Sequence, residues 1–174
     1  MEPAPDAGAL STRVVVEGTG EMRVSTGLSV LDHLLELMAA HAGVDPPLEG
    51  APGGPDAEAR AAGRALGGEL HGFVRAAGAS GSGFAIVPAD EALASVALEA
   101  SGRPLLVSNV DLSDAHVAGI DRDLVSGFLK ELAEAAGLTL HVRLLHGEDA
   151  KHVLEAIFKA LGGALAAAGA RRKE

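Results

Sequence analysis

The chain has 174 residues, a formal net charge of -10 and 48% hydrophobic residues, enough for one domain or two fused half-domains around a core of mostly small side chains. It has no Cys, no Trp, no Tyr and only four Phe. That excludes a disulfide framework and a thiolate metal site, leaves no aromatic platform for single-stranded nucleic acid, and the acidic balance argues against binding a phosphate backbone.

Residues 1–10 read as a frayed, acidic leader without the apolar stretch of a signal peptide. The small-residue run Leu161–Ala170 is too short to span a bilayer. A cytoplasmic protein without membrane or nucleic-acid partners is therefore expected. Arg13–Glu17 and Met22–Ser25 read as strands around the turn Gly18-Thr19-Gly20. Ser29 is the expected cap of a helix to about His41, with Leu31, Leu34, Leu35 and Met38 on one face and Gly43 as its stop. Residues 44–55 hold four Pro and three Gly, the composition of a loop or a poor edge strand.

An Ala-rich helix is expected over Asp56–Ala77, followed by a Gly/Ser linker over Gly78–Gly83. Phe84–Val87, Ala92–Ala100 and Pro104–Val110 read as strands of a meander. Asp121–Ala136 is an amphipathic helix with Leu124, Val125, Phe128, Leu129 and Leu132 inward, stopped by Gly137. Leu138–Leu145 alternates as a strand, and Asp149 can cap a last helix from about Ala150 to Ala168. The charged end Arg171-Arg172-Lys173-Glu174 reads as a solvated tail.

The chain repeats itself at a spacing of 94–95 residues. Ala42-Gly43 matches Ala136-Gly137, and Leu66-Gly67-Gly68-Glu69-Leu70 matches Leu161-Gly162-Gly163-Ala164-Leu165. These anchors align Leu34 with Phe128, Leu35 with Leu129 and Met38 with Leu132. The expected architecture is α+β: internally duplicated β-β-α-β-α half-domains, about 12–78 and 82–168, forming a single domain with sheets backed by helices. Each half alone has too little core to be stable.

With no Cys, any metal must be held by His, Asp or Glu. His152 and Glu155 are three apart on one helical face, a ligand-compatible spacing that surface pairs also show. His141 lies in an alternating strand, where a lone His is ordinarily a half-exposed polar residue, and His33 follows Asp32 on a helix otherwise apolar on one side. Singly, none of these singles out a site.

The order of words is more specific. Leu31-Asp32-His33-Leu34-Leu35, Pro88-Ala89-Asp90-Glu91-Ala92-Leu93, Ser101-Gly102-Arg103-Pro104, Gly137-Leu138-Thr139-Leu140-His141 and His152-Val153-Leu154-Glu155-Ala156-Ile157-Phe158-Lys159-Ala160 occur in this order. The series resembles the imidazoleglycerol-phosphate dehydratases of histidine biosynthesis, from about residue 12 to 168. The resemblance implies a duplicated, ribosomal protein S5 domain 2-like fold and a dimetal hydro-lyase, usually with manganese. Two His-His-x-x-Glu helices, with one His from the Leu-Asp-His word and one from the Thr-Leu-His word, hold the metals. These hold the substrate imidazole as an imidazolate, an electron sink for removing a poorly acidic proton and then water. By the same resemblance His33, His141, His152 and Glu155 are metal ligands, Arg103 and Lys159 grip the phosphate, and Asp90 is a candidate acid–base carboxylate. Read without the resemblance, Asp90 is a turn residue before a strand.

The sequence departs from that pattern. Lys151 stands where the first His of the second motif belongs, and the repeat places Asp56, Ala57 and Arg60 where the first motif needs His, His and Glu. Half of the ligands remain. Gly81 and Leu37 stand where the family has polar side chains, and the family's Ser-bearing C-terminal extension has no counterpart. Three functions are therefore carried forward: a dehydratase working with a remodelled site, a non-catalytic relative acting in binding or assembly, and a new reaction at the surviving half-site. Loss of the standard activity is expected over its retention, with weak manganese occupancy, and a homo-oligomer, trimer or larger.

Overall fold

The computed structural model of the chain describes residues 24–26, 28–43, 48–49, 54–111 and 122–172. The expected strand Arg13–Glu17 and its turn lie outside these. The first described strand, β1 (Val24–Ser25), pairs in parallel with β2 (Leu48–Glu49), a two-residue strand inside the Pro/Gly-rich stretch. Between them runs helix α1 (Ser29–Ala42), closed by Gly43 with its N–H on the Ala39 carbonyl. Ser29 does not cap it. The capping position is Leu28, which has no side-chain cap; instead Asp32 reaches back, and its Oδ1 accepts from the N–H and the hydroxyl of buried Thr26 at 2.8 and 2.6 Å.

Helix α2 (Pro55–Phe73) opens with Pro in its first turn, where the missing N–H has no intrahelical partner to lose. It ends four residues before the expected Ala77. The chain turns there so that Arg75 can close the carbonyl end of a second helix, donating to the Ala136 and Gly137 carbonyls at 2.7 and 2.9 Å. That helix is α3 (Arg122–Ala136). The linker is not free either: Ser80 and Gly81 donate to the carbonyls of Ala170 and Ala168, and Arg172 donates to that of Gly78. The start of the expected tail is thereby tied to the linker.

Strands β3 (Ser82–Ala89), β4 (Ala92–Glu99), β5 (Leu105–Ser108) and β6 (Thr139–His146) form one sheet in the order β3-β4-β6-β5. The expected meander holds only for β3 and β4. β6 inserts beside β4, and β5 pairs with β6 in parallel, because α3 carries the chain across between them. Local alternation marks a strand but not its neighbour. Helix α4 (Ala150–Gly169) lies on β3 and β4. It is long and apolar enough to cross a membrane by composition, but its apolar positions are core positions, buried beneath α1 and the sheet.

The helices pack in two pairs, α1 on α4 and α2 on α3. Small residues set how close they come. A Cβ at Gly67 would lie 2.7 Å from the Leu132 carbonyl oxygen, and one at Gly162 would strike the Met38 carbonyl oxygen. Phe128 and Phe158 meet at the centre with ring centroids 5.6 Å apart. On the sheet, Ala94, Val96, Leu98, Leu140 and Val142 face inward and are buried. The whole is a mixed α+β fold with its helices on one face of the larger sheet.

Candidate functional site

The site forms where the start of α4 meets the turn between β3 and β4. Asp149 caps α4 by accepting from the N–H groups of Lys151 and His152 at 2.9 and 3.2 Å. This fixes His152 in the first turn. Opposite it, β3 and β4 are joined by the two residues Asp90 and Glu91. Asp90 has φ +49, a left-handed conformation that a short polar side chain tolerates and most others avoid.

Glu91 binds the same helix start. Its Oε1 accepts from the Asp149 N–H at 2.9 Å, and its Oε2 accepts from His152 Nδ1 at 2.6 Å. Asp90 Oδ2 stands 3.2 Å from His152 Nε2. The Asp149 N–H first, then Glu91's own backbone N–H and the His152 ring, hold the Glu91 carboxyl down at about 2. Glu91 in turn pushes the His152 imidazole above its ordinary value, against the opposing effect of desolvation. His152's contribution to stability is therefore complete below 6.5 and lost as pH rises through the raised value; that of Glu91 is complete above 4.5 and lost as pH falls towards 2. In a histidine NMR titration of metal-free protein, His152 is expected to titrate above 6.5 and to fall back towards it in Glu91→Gln. An unchanged value in the variant would show that Glu91 is not its partner.

One helical turn on, Glu155 faces α1. Its Oε1 lies 3.5 Å from His33 Nε2 and 3.9 Å from Lys151 Nζ. His33, Lys151 and Glu155, with Val30, Leu34 and Leu154, line a groove of about 320 Å³. The polar groups of the site thus sit beside an apolar wall.

The remaining expected residues stand apart. His141 is exposed on the outer sheet face, level with Ala97 and Val107. Arg103 is exposed beyond the far end of β4, roughly 25 Å of strand away from Glu91. Lys159 lies two turns along α4 from His152, about 10 Å by helical rise. Gly81 has φ +72, and its carbonyl accepts from the Ala100 N–H, so the long side chain expected there would be strained. Leu37 is half-buried on α1. Among the described residues, no group of three His, Asp or Glu side chains is arranged to hold one ion; His152 meets Glu91 and Asp90 on opposite ring nitrogens, and His33 meets Glu155.

Sequence reasoning missed Glu91. Asp90 and Glu91 are adjacent acids in a turn, and only the strand pairing decides which of them meets Nδ1 of His152. The donors at this end are imidazole nitrogen and carboxylate oxygen, ligand types used by first-row divalent metals. Fold and site together define the class: an α+β scaffold that presents imidazole–carboxylate pairs at the start of a core helix.

Comparison with known proteins narrows the class to a family. The family model described as imidazoleglycerol-phosphate dehydratase matches residues 26–165. The chain is 38% identical over 161 residues to the imidazoleglycerol-phosphate dehydratase of Clostridium botulinum (strain Kyoto / Type A2), covering 90% of this chain and 82% of that one. It is 40% identical over 157 residues to that of Syntrophobacter fumaroxidans, covering 87% and 79%. The crystal structure of the enzyme from Staphylococcus aureus superimposes with a TM-score of 0.84 at 29% identity, over 95% of this chain and 100% of that one. The chain belongs to the imidazoleglycerol-phosphate dehydratase family.

Proposed function

We propose that this chain is a histidine-biosynthesis dehydratase in descent, with a strongly reduced capacity to convert imidazoleglycerol phosphate to imidazole-acetol phosphate. One observation carries the reading. The start of α4 presents His152 and Glu155 with His33 opposite, whereas the start of α2 presents Asp56, Ala57 and Arg60. The first set has the imidazole and carboxylate chemistry of an N/O-ligated site, which one chain does not gather around a single ion; the second does not, because Arg60 keeps its positive charge in any protein environment.

At the α4 end, His33, His152 and Glu155 are the residues that would hold manganese, joined by His141 brought from another copy. Bound there, the ion would supply charge stabilisation to the substrate imidazole. Asp90 faces His152 and is placed to hold or move a proton at Oδ2. Arg103 and Lys159 supply the positive charge for a phosphate. Elemental analysis of purified, unchelated protein is expected to find fewer than two metals per chain, weakly held. Two tightly held metals per chain would overturn the reading.

In this reading an assembled form would bring together residues that one chain holds apart. The outer sheet face exposes Phe84 (72%), Ile86 (56%), Leu105 (53%) and Leu145 (50%) beside His141 and Arg143. An apolar patch of this kind on a water-soluble enzyme calls for cover. A cytoplasmic homo-oligomer, trimer or larger, is the expected state, and light scattering at micromolar concentration checks it. A strict monomer would count against it.

The second reading, a non-catalytic binding or assembly protein on the same scaffold, is favoured by Arg60 at the α2 end. Complementation of a histidine auxotroph lacking the dehydratase separates the two. Slow growth supports residual activity, and none supports the non-catalytic protein.

A further inference from the structure

The repeat that aligns Leu34 with Phe128 also aligns His33 with Gly127, and the 95-residue spacing of the second helices aligns Lys151 with Asp56 and Glu155 with Arg60. The structure places both sets at matching positions of the two helix pairs. At the α1–α4 end, His33 meets Glu155, and Lys151 approaches Glu155 across one turn at 3.9 Å. At the α2–α3 end, Asp56 and Arg60 form the same i,i+4 pair with the signs exchanged, Nε to Oδ2 at 3.0 Å. The Arg60 guanidinium lies over Gly127: the three atoms nearest to a Cβ built there all belong to Arg60, at 3.0, 3.1 and 3.2 Å. At the other end bare backbone stands in place of the imidazole, and a cation laid over that backbone, beside a cavity of about 640 Å³, stands in place of the carboxylate.

We propose that the α2–α3 end is a metal-free ion-pair junction in which Arg60 is the resident cation and Gly127 is the residue that leaves it room. The guanidinium links both helices. It pairs with Asp56 on its own helix and lies 3.8 Å from Glu131 Oε1 on α3, whose other oxygen is 3.1 Å from Arg64. Asp56 and Glu131 are already paired with guanidinium groups, and a divalent ion would have to displace a charge that cannot be titrated away. Arg60 and Gly127 therefore depend on one another: the guanidinium lies where a side chain at 127 would be. The proposal rests on the family reading only in taking the other end as the one competent for metal.

A double-mutant cycle in chelator tests the junction independently of metal and of activity. Alanine is the better helix former, so in an Arg60→Ala background Gly127→Ala is expected to raise Tm by about 1–4 °C. In the unmodified chain the same change displaces the guanidinium, and no rise, or a fall, is expected. Equal shifts in the two backgrounds would overturn the proposal. Arg60→Lys, which keeps the charge but loses the planar fork, is expected to behave as Arg60→Ala does. Manganese titration followed by the EPR signal of the free ion supplies the second arm. Uptake is expected to fall in His33→Ala and to stay unchanged in Asp56→Asn and Glu131→Gln; a fall in either of the latter would overturn the proposal. No uptake by the unmodified chain would instead overturn the metal reading of the α1–α4 end, leaving the cycle to decide the junction.

Discussion

With manganese supplied, purified protein is expected to turn over imidazoleglycerol phosphate at least about a thousandfold more slowly than a dehydratase with a complete ligand set, equivalent to ~4 kcal/mol of lost transition-state stabilisation. The motive is the α2 end. Asp56 and Arg60 form an ion pair where the family has ligands, and Glu131 is engaged by Arg64. One metal's worth of charge stabilisation is several kcal/mol, and each ~1.4 kcal/mol is tenfold in rate. A weaker hold on the phosphate is expected as well, because Gly81 lies in a left-handed turn and Leu37 is apolar where the resemblance implies polar side chains, and substrate orientation is expected to suffer with it. Any residual turnover is expected to vanish in His152→Ala. Turnover at the family's normal rate that is lost in His152→Ala would show that half the ligand set suffices.

A large effect on stability is expected at Gly162, where two helices meet. A Cβ there strikes the Met38 carbonyl oxygen and comes within 2.8 Å of His41 Cβ, so α1 must move off α4. Gly162→Ala is expected to cost about 1–3 kcal/mol, as overpacking of a tight core does, and to lower Tm by roughly 2–12 °C. Gly68 is the control. It lies in the interior of α2, exposed, with nothing within 4 Å of an added Cβ. Gly68→Ala is expected to stabilise by about 0.5–1 kcal/mol through helix propensity. Equal thermal stability of the two variants would refute this account of the helix packing. Because α1 carries His33 and α4 carries Glu155, Gly162→Ala is also expected to widen their 3.5 Å approach and weaken manganese uptake.

The junction at α2–α3 and the site at α1–α4 show why a depleted motif is not simply an emptied one. At the α2–α3 end Arg60 pairs with Asp56 and approaches Glu131 over Gly127, so a cation of the chain itself links the two helices.

Much of this was legible in the chain itself. The apolar face of α3, the stops at Gly43 and Gly137 and the cap at Asp149 follow from local rules, because 3.6-residue periodicity and the special conformations of helix ends are properties of a few consecutive residues. The ordered words around His33, Asp90, Arg103, His141 and His152 were enough to indicate the family, because they follow one another at the family's spacing along one chain. Tertiary structure decided the rest. Only the crossover through α3 put β6 between β4 and β5, since strand alternation is blind to its partner. Only the pairing of β3 with β4 aimed Glu91 rather than Asp90 at His152 Nδ1, and only the close approach of α2 to α3 laid Arg60 over Gly127. The strand pairings join residues tens of positions apart, and the last two contacts join residues more than sixty apart; their geometry is set by backbone packing that no local pattern encodes.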